Sequence, residues 1–125
     1  MKDGVEKRYY RNGNLQAVIP LKNNKIRGKG MMYYENGNIK SEEFYFDTVQ
    51  DGNAKYYFED GIIQRELTFK NGLKEGVERI YYPNGALHIQ LYRKNGKGEG
   101  VSTEYYEDGT FKNSVLFRNG IEVKK

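Results

Sequence analysis

The chain has 125 residues, a formal net charge of +4, twelve Tyr, fifteen Gly, two Pro and one His, with neither Cys nor Trp. That length holds one domain or a short repeat array, and the composition excludes a disulfide scaffold, a cysteine-ligated zinc site, a thiol nucleophile and a multi-histidine metal site. The longest apolar stretch, Ala17 to Leu21, is far short of the about 20 residues a membrane-spanning helix needs. No apolar run follows the charged N-terminal residues, so the chain reads as cytoplasmic unless a leader precedes it.

Gly4 opens a pattern that returns at Gly28, Gly52, Gly76 and Gly100, a constant step of 24 residues. Repeats therefore run over residues 4–27, 28–51, 52–75, 76–99 and 100–123, as one repeat domain over residues 1–125. Within each copy comes a first aromatic, Tyr9, Tyr33, Tyr57, Tyr81 or Tyr105, and then a second, Tyr10, Tyr34, Phe58, Tyr82 or Tyr106. An Asn-Gly or Asp-Gly pair ending in Gly13, Gly37, Gly61, Gly85 or Gly109 follows, and then Leu15, Ile39, Ile63, Leu87 or Phe111. Asn-Gly and Asp-Gly supply the positive φ that tight hairpin turns need, and here they separate alternating β-branched and aromatic runs. A second Asn-Gly turn closes most copies. The spacing predicts an all-β, elongated, single-layer antiparallel meander of five hairpin repeats, about ten strands in all. Copy two departs at its second turn, where Asp47-Thr48 stands in place of Asn-Gly, and the regularity of the sheet is in question there.

Pro83 selects the first turn. A two-residue loop at Asn84-Gly85 would require an N–H that proline lacks, whereas a type I turn followed by a glycine bulge puts Pro83 at its preferred φ and Gly85 at a positive one. This pairs Tyr81 with Leu87. Continued alternation then adds Val77, Ile89 and Leu91 to the same face, or Val5, Tyr9, Leu15, Ala17, Ile19 and Leu21 in copy one, and this face is expected to be the core. Tyr10 and its equivalents point the other way, beside Arg8, Met32, Tyr56, Ile80 and Glu104.

Chemistry is sparse. Gly28-Lys29-Gly30 and Gly96-Lys97-Gly98 open no helix and lack phosphate-loop spacing. Glu42-Glu43 lie on a strand, so the two carboxylates diverge, and Glu59-Asp60 falls at a turn. His88 is expected to point away from the core as a surface residue. No catalytic residues, metal site or cofactor are expected. The second-aromatic column, Tyr10, Tyr34, Phe58, Tyr82 and Tyr106, is a candidate binding surface as well as a structural ladder. Residues 1–27 carry seven Lys/Arg against two Asp/Glu, which makes Lys7, Arg8 and Arg11 the candidate anion contacts.

The hairpin motif, as in Tyr33-Tyr34-Glu35-Asn36-Gly37-Asn38-Ile39 and Tyr81-Tyr82-Pro83-Asn84-Gly85-Ala86-Leu87, resembles MORN repeats. It is most similar to the variant found in bacterial YwqK-type antitoxins of toxin–antitoxin systems. The resemblance implies an antitoxin-type or scaffold role with a protein partner. A non-enzymatic protein-interaction module is therefore the leading expectation, with anionic-lipid or cell-wall glycan binding as the alternative. Lipid binding should be weak or absent and no specific nucleic acid is expected, because the positive charge is concentrated in copy one. Open first and last strands raise the expectation of a homo-oligomer by edge pairing.

Overall fold

The computed structural model describes residues 3–123. The strands are β1 (Gly4–Tyr9), β2 (Leu15–Lys22), β3 (Lys25–Ile26), β4 (Gly28–Tyr33), β5 (Ile39–Phe46), β6 (Val49–Tyr57) and β7 (Ile63–Lys70), followed by β8 (Leu73–Lys74), β9 (Gly76–Tyr81), β10 (Leu87–Lys94), β11 (Lys97–Gly98), β12 (Gly100–Tyr105), β13 (Phe111–Arg118) and β14 (Ile121–Val123). All belong to one antiparallel sheet. Its main path runs β1-β2-β4-β5-β6-β7-β9-β10-β12-β13-β14, and the two-residue strands β3, β8 and β11 pair with β2, β7 and β10. The described residues contain no helix. The expected meander is what forms, with short extra strands beside the second turns.

Both turn types follow from local chemistry. At the first turn, Gly13 N–H donates to the Tyr10 carbonyl at 2.9 Å, and Tyr10 N–H donates to the Asn14 carbonyl at 2.8 Å. That is a type I turn with a glycine bulge, and the glycine φ is between +90° and +95° in all five copies. The side chain of Asn12 accepts the N–H of Asn14 at 2.9 Å, and Asn36, Asp60, Asn84 and Asp108 do the same in their copies. At the second turn both central residues have positive φ, as at Asn71 (+50°) and Gly72 (+84°), the signature of a type I′ hairpin. Asp47 (+48°) and Thr48 (+74°) adopt the same turn, so copy two keeps the hairpin of the others, with a register shift between Glu43 and Tyr45 on β5. Two hydrogen bonds hold Thr48 in this unfavourable conformation. Its N–H donates to the Ile26 carbonyl at 2.7 Å, and its hydroxyl accepts the Ile26 N–H at 3.1 Å.

Register decides which side chains share a face. Tyr81 pairs with Leu87 as expected, but the next pair is Ile80 with Ile89, so His88 is an extra residue on β10. The same one-residue irregularity recurs between Arg8 and Tyr9, Met32 and Tyr33, Tyr56 and Tyr57, and Glu104 and Tyr105. A bulge reverses the parity of everything beyond it. Ile89 and Leu91 therefore lie with Ile80 and Glu78, not with Tyr81. In copy one, Ala17, Ile19 and Leu21 lie with Arg8, Glu6 and Gly4, not with Tyr9. The single face expected from continuous alternation is divided between the two sides of the sheet.

The expected core face changes sides with it. We call the side bearing Tyr9, Tyr33, Tyr57, Tyr81 and Tyr105 the front. The buried non-glycine residues are Ala17, Ser41, Ala54, Leu67 and Glu78, and by register all five lie on the back. Small side chains there sit beneath large ones. A Cβ at Gly30 would stand 3.5 Å from the ring of Tyr45, and one at Gly98 would stand 3.5 Å from Phe117. With so little apolar volume buried, hydrogen-bonded ladders and contacts between repeats carry much of the cohesion.

Candidate functional site

The front face is open. Of the twelve exposed large hydrophobic residues, all but Tyr106 fall on it by register. They include Phe44, Phe46 and Val49 of copy two, Leu73 of copy three and Tyr92 of copy four. Phe46, Val49 and Leu73 follow one another along the second-turn edge, and a contiguous exposed apolar strip marks an interaction site more often than inert surface. The centre of the front is polar and self-satisfied. Glu66 accepts the Tyr81 hydroxyl at 2.7 Å and lies 3.6 Å from Arg79, while Lys29 lies 3.8 Å from Glu42.

Cations line the second-turn margin of the same face. Lys22 pairs across its turn with Lys25, Lys94 with Lys97, and Lys70 and Arg118 with Leu73 and Ile121. None of these six cations has an ion pair or side-chain hydrogen bond among the described residues. The neighbouring carboxylates are mostly committed elsewhere. Glu75 accepts the N–H of Asn95, Glu99 that of Asn119, and Asp3 that of Asn23, while Asp47 pairs with Arg27 at 2.8 Å.

The second-aromatic column has a defined structural task. The hydroxyls of Tyr10, Tyr34 and Tyr82 donate to the backbone carbonyls of Tyr33, Tyr57 and Tyr105 at 2.6, 2.5 and 2.8 Å, one copy further on. Phe58 has no hydroxyl. Bulge residues lie over several of these rings. His88 stacks on Tyr82 with 4.1 Å between centroids, and Lys40 and Lys112 lie over Tyr34 and Tyr106. His88 thus lies on the back, the side that carries the buried residues, half-buried between Tyr82 and Glu104; it neither points away from the core nor stands as a free surface residue, contrary to expectation.

Lys7, Arg8 and Arg11 do not converge. Lys7 pairs with Val18 on the front, Arg8 lies on the back and bonds Glu6 at 2.7 Å, and Arg11 lies in the exposed first turn. Five phenols are held above their ordinary pKa chiefly by burial: Tyr34, Tyr45, Tyr56, Tyr57 and Tyr81. For Tyr81, burial and the Glu66 carboxylate together push it to about 12. Glu104 is lowered by its bonds to His88 and Lys112, and Asp108 by its bonds to Thr110.

The back carries the feature that composition hides. Glu78 is 1% exposed, with Arg93 Nε at 2.9 Å, Lys74 Nζ at 3.7 Å and Arg65 at 3.8 Å. Three strands away on the same side, Glu43 accepts the Tyr56 hydroxyl at 2.7 Å and the Gln50 amide at 3.0 Å. These carboxylates are saturated by donors, and no group of three potential metal ligands occurs among the described residues.

A 24-residue hairpin period, paired turn rows and one open sheet define a β-hairpin repeat protein. The family model for the MORN repeat variant matches residues 2–23, 27–47, 50–71 and 74–95, more than half of the chain. The chain belongs to that family. The fifth copy lies beyond the matched residues yet repeats the same strands as β12 and β13. No curated protein matches the sequence. Among solved structures the chain is similar to the "Glycosylation Associate Protein (Gap123) complex from Streptococcus agalactiae", with 16% identity and a TM-score of 0.45 over 84% of this chain. The match spans 19% of that chain's length.

Proposed function

We propose that this protein is a non-enzymatic binding or scaffold module that takes a partner protein on the front face of its sheet. The observation that carries the reading is the segregation of exposed apolar side chains. Nearly all of them share the front, while the back encloses the buried alanines, Leu67 and the saturated Glu43 and Glu78 carboxylates. Water-exposed Phe46 and Leu73 gain from being covered, at about 25 cal/mol per Å² of apolar surface removed from water. The antitoxin-type role implied by the sequence resemblance is the case in which the partner is a toxin whose working surface the front covers.

Affinity capture from the native host tests the reading, with three baits: the intact chain, the front variant Phe46→Asp/Leu73→Asp, and the back variant Gln64→Asp, at a residue that lines a hollow with Tyr56, Arg65 and Ile80 on the back. A partner held by the intact chain and by Gln64→Asp, and lost with the front variant, is the expected result. Retention by the front variant, with dichroism showing it folded, contradicts it.

A further inference from the structure

The front margin also specifies the chemistry of what docks there, on the premise that the front is the binding face. Phe46 pairs with Val49 across the second turn of copy two, and Val49 lies against the Gly72 turn of copy three. Leu73 in turn lies against the Gly96 turn, and Lys97 against the Gly120 turn. One continuous strip thus passes from Phe46, Val49 and Leu73 to Lys94, Lys97 and Arg118. Those three cations line a notch of about 360 Å³ between copies four and five, completed by Asn95, Asn119 and Glu99. Three cations against the one Glu99 carboxylate, which accepts the Asn119 N–H at 3.0 Å, give the notch an excess of positive charge.

We propose that this strip docks an acidic segment of a partner protein, with apolar anchors against Phe46, Val49 and Leu73 and carboxylates in the notch formed by Lys94, Lys97 and Arg118. Charge complementarity selects this occupant, because three cations that have no ion-pair partner among the described residues, at one end of an apolar strip, favour carboxylates and repel a basic segment. Spacing follows from the fold. Leu73 and Lys97 stand one repeat apart, two strand spacings or about 10 Å, which an extended segment crosses in about three residues.

Fluorescence anisotropy on the full chain tests the assignment with short labelled peptides bearing two Phe or Leu anchors followed by either a Glu cluster or a Lys cluster. Phosphatidylserine vesicles provide the competing arm. The Glu peptide should bind, weaken toward about 0.3 M salt, and lose about tenfold or more in affinity on Lys94→Glu/Lys97→Glu/Arg118→Glu. The same triple variant should gain affinity for the Lys peptide, a swap that loss of folding cannot produce. Equal binding of the two peptides, an unaffected triple variant, or capture by the vesicles in place of the peptide would overturn the proposal. If those results accompany front-dependent capture of a native partner, the binding-module reading stands and the acidic assignment fails. If no front-dependent partner exists either, both fall.

Discussion

The hydroxyl of Tyr34 donates to the backbone carbonyl of Tyr57, 2.5 Å away and 23 residues further along the chain. Tyr10 and Tyr82 repeat this latch, and amides reinforce it: Asn14 donates to the Glu35 carbonyl, Asn36 and Asn38 to that of Glu59, and Asn84 to that of Glu107. Copy three has Phe58, Asp60 and Ile62 at the equivalent positions, none of which has a side-chain N–H or O–H for the carbonyls of copy four. Phe58→Tyr should add the missing bond to the Tyr81 carbonyl and raise stability by about 0.5–1.5 kcal/mol, whereas Tyr34→Phe should lower it by a similar amount. Urea denaturation of both variants checks the pair, and a destabilised Phe58→Tyr would show that the latch does not transfer between copies.

Gly61 separates backbone strain from crowding. Its φ is +95°, and a Cβ there would meet nothing within 4 Å, so a side chain has room but the wrong backbone. Gly61→Val should cost more than about 1 kcal/mol, measured as a shift in denaturation midpoint with an unchanged slope. An unchanged midpoint would mean that the turn relaxes to another type.

The cluster around Glu78 should respond unequally to removal of its members. Arg93→Ala leaves a buried carboxylate with only the longer Lys74 and Arg65 contacts, and should cost about 1–3 kcal/mol. Glu78→Ala reproduces Ala54, its equivalent one copy earlier, and leaves three cations that reach water. It should be the milder change. The reverse order in thermal denaturation would refute this assignment of the burden.

Alkaline pH should weaken the fold. A phenol whose folded pKa is raised stays protonated after the unfolded chain has lost its proton, so stability falls as pH rises from about 10, the ordinary tyrosine value, to the folded value of about 12 for Tyr81. Tyr34, Tyr45, Tyr56 and Tyr57 shift in the same direction. Glu104 and Asp108, held below their ordinary values, contribute stability that disappears only as pH falls through those lowered values. Ultraviolet titration should show a phenol in the folded protein ionising near 12 that Tyr81→Phe removes. Uniform titration of every tyrosine near 10 would contradict it.

Turn chemistry made the fold legible in the sequence. Asn12-Gly13 and its four counterparts state a hairpin, and Pro83 alone distinguishes its type. Facing was less legible, because a one-residue bulge at His88 leaves no compositional mark and inverts Ile89 and Leu91 without changing their alternation. The buried Glu78 was equally silent, since Gly30 and Ala54 occupy its place in copies two and three and nothing local announces a carboxylate amid Arg65, Lys74 and Arg93. The cation margin was spelled out in Lys22, Lys25, Lys70, Lys94 and Lys97, but it could be read as one surface only after the bulge had assigned the faces.

The front-face claim is tested most directly by thiol labelling, which the absence of native cysteine makes clean. Single cysteines are placed at Val49 and Leu73 on the front and at Gln64 on the back, and labelling rates are compared with and without the captured partner. The account predicts fast labelling at all three sites in the isolated protein, and protection at Val49 and Leu73 but not at Gln64 once the partner is bound. Protection at Gln64 with none at Val49 and Leu73 would contradict it.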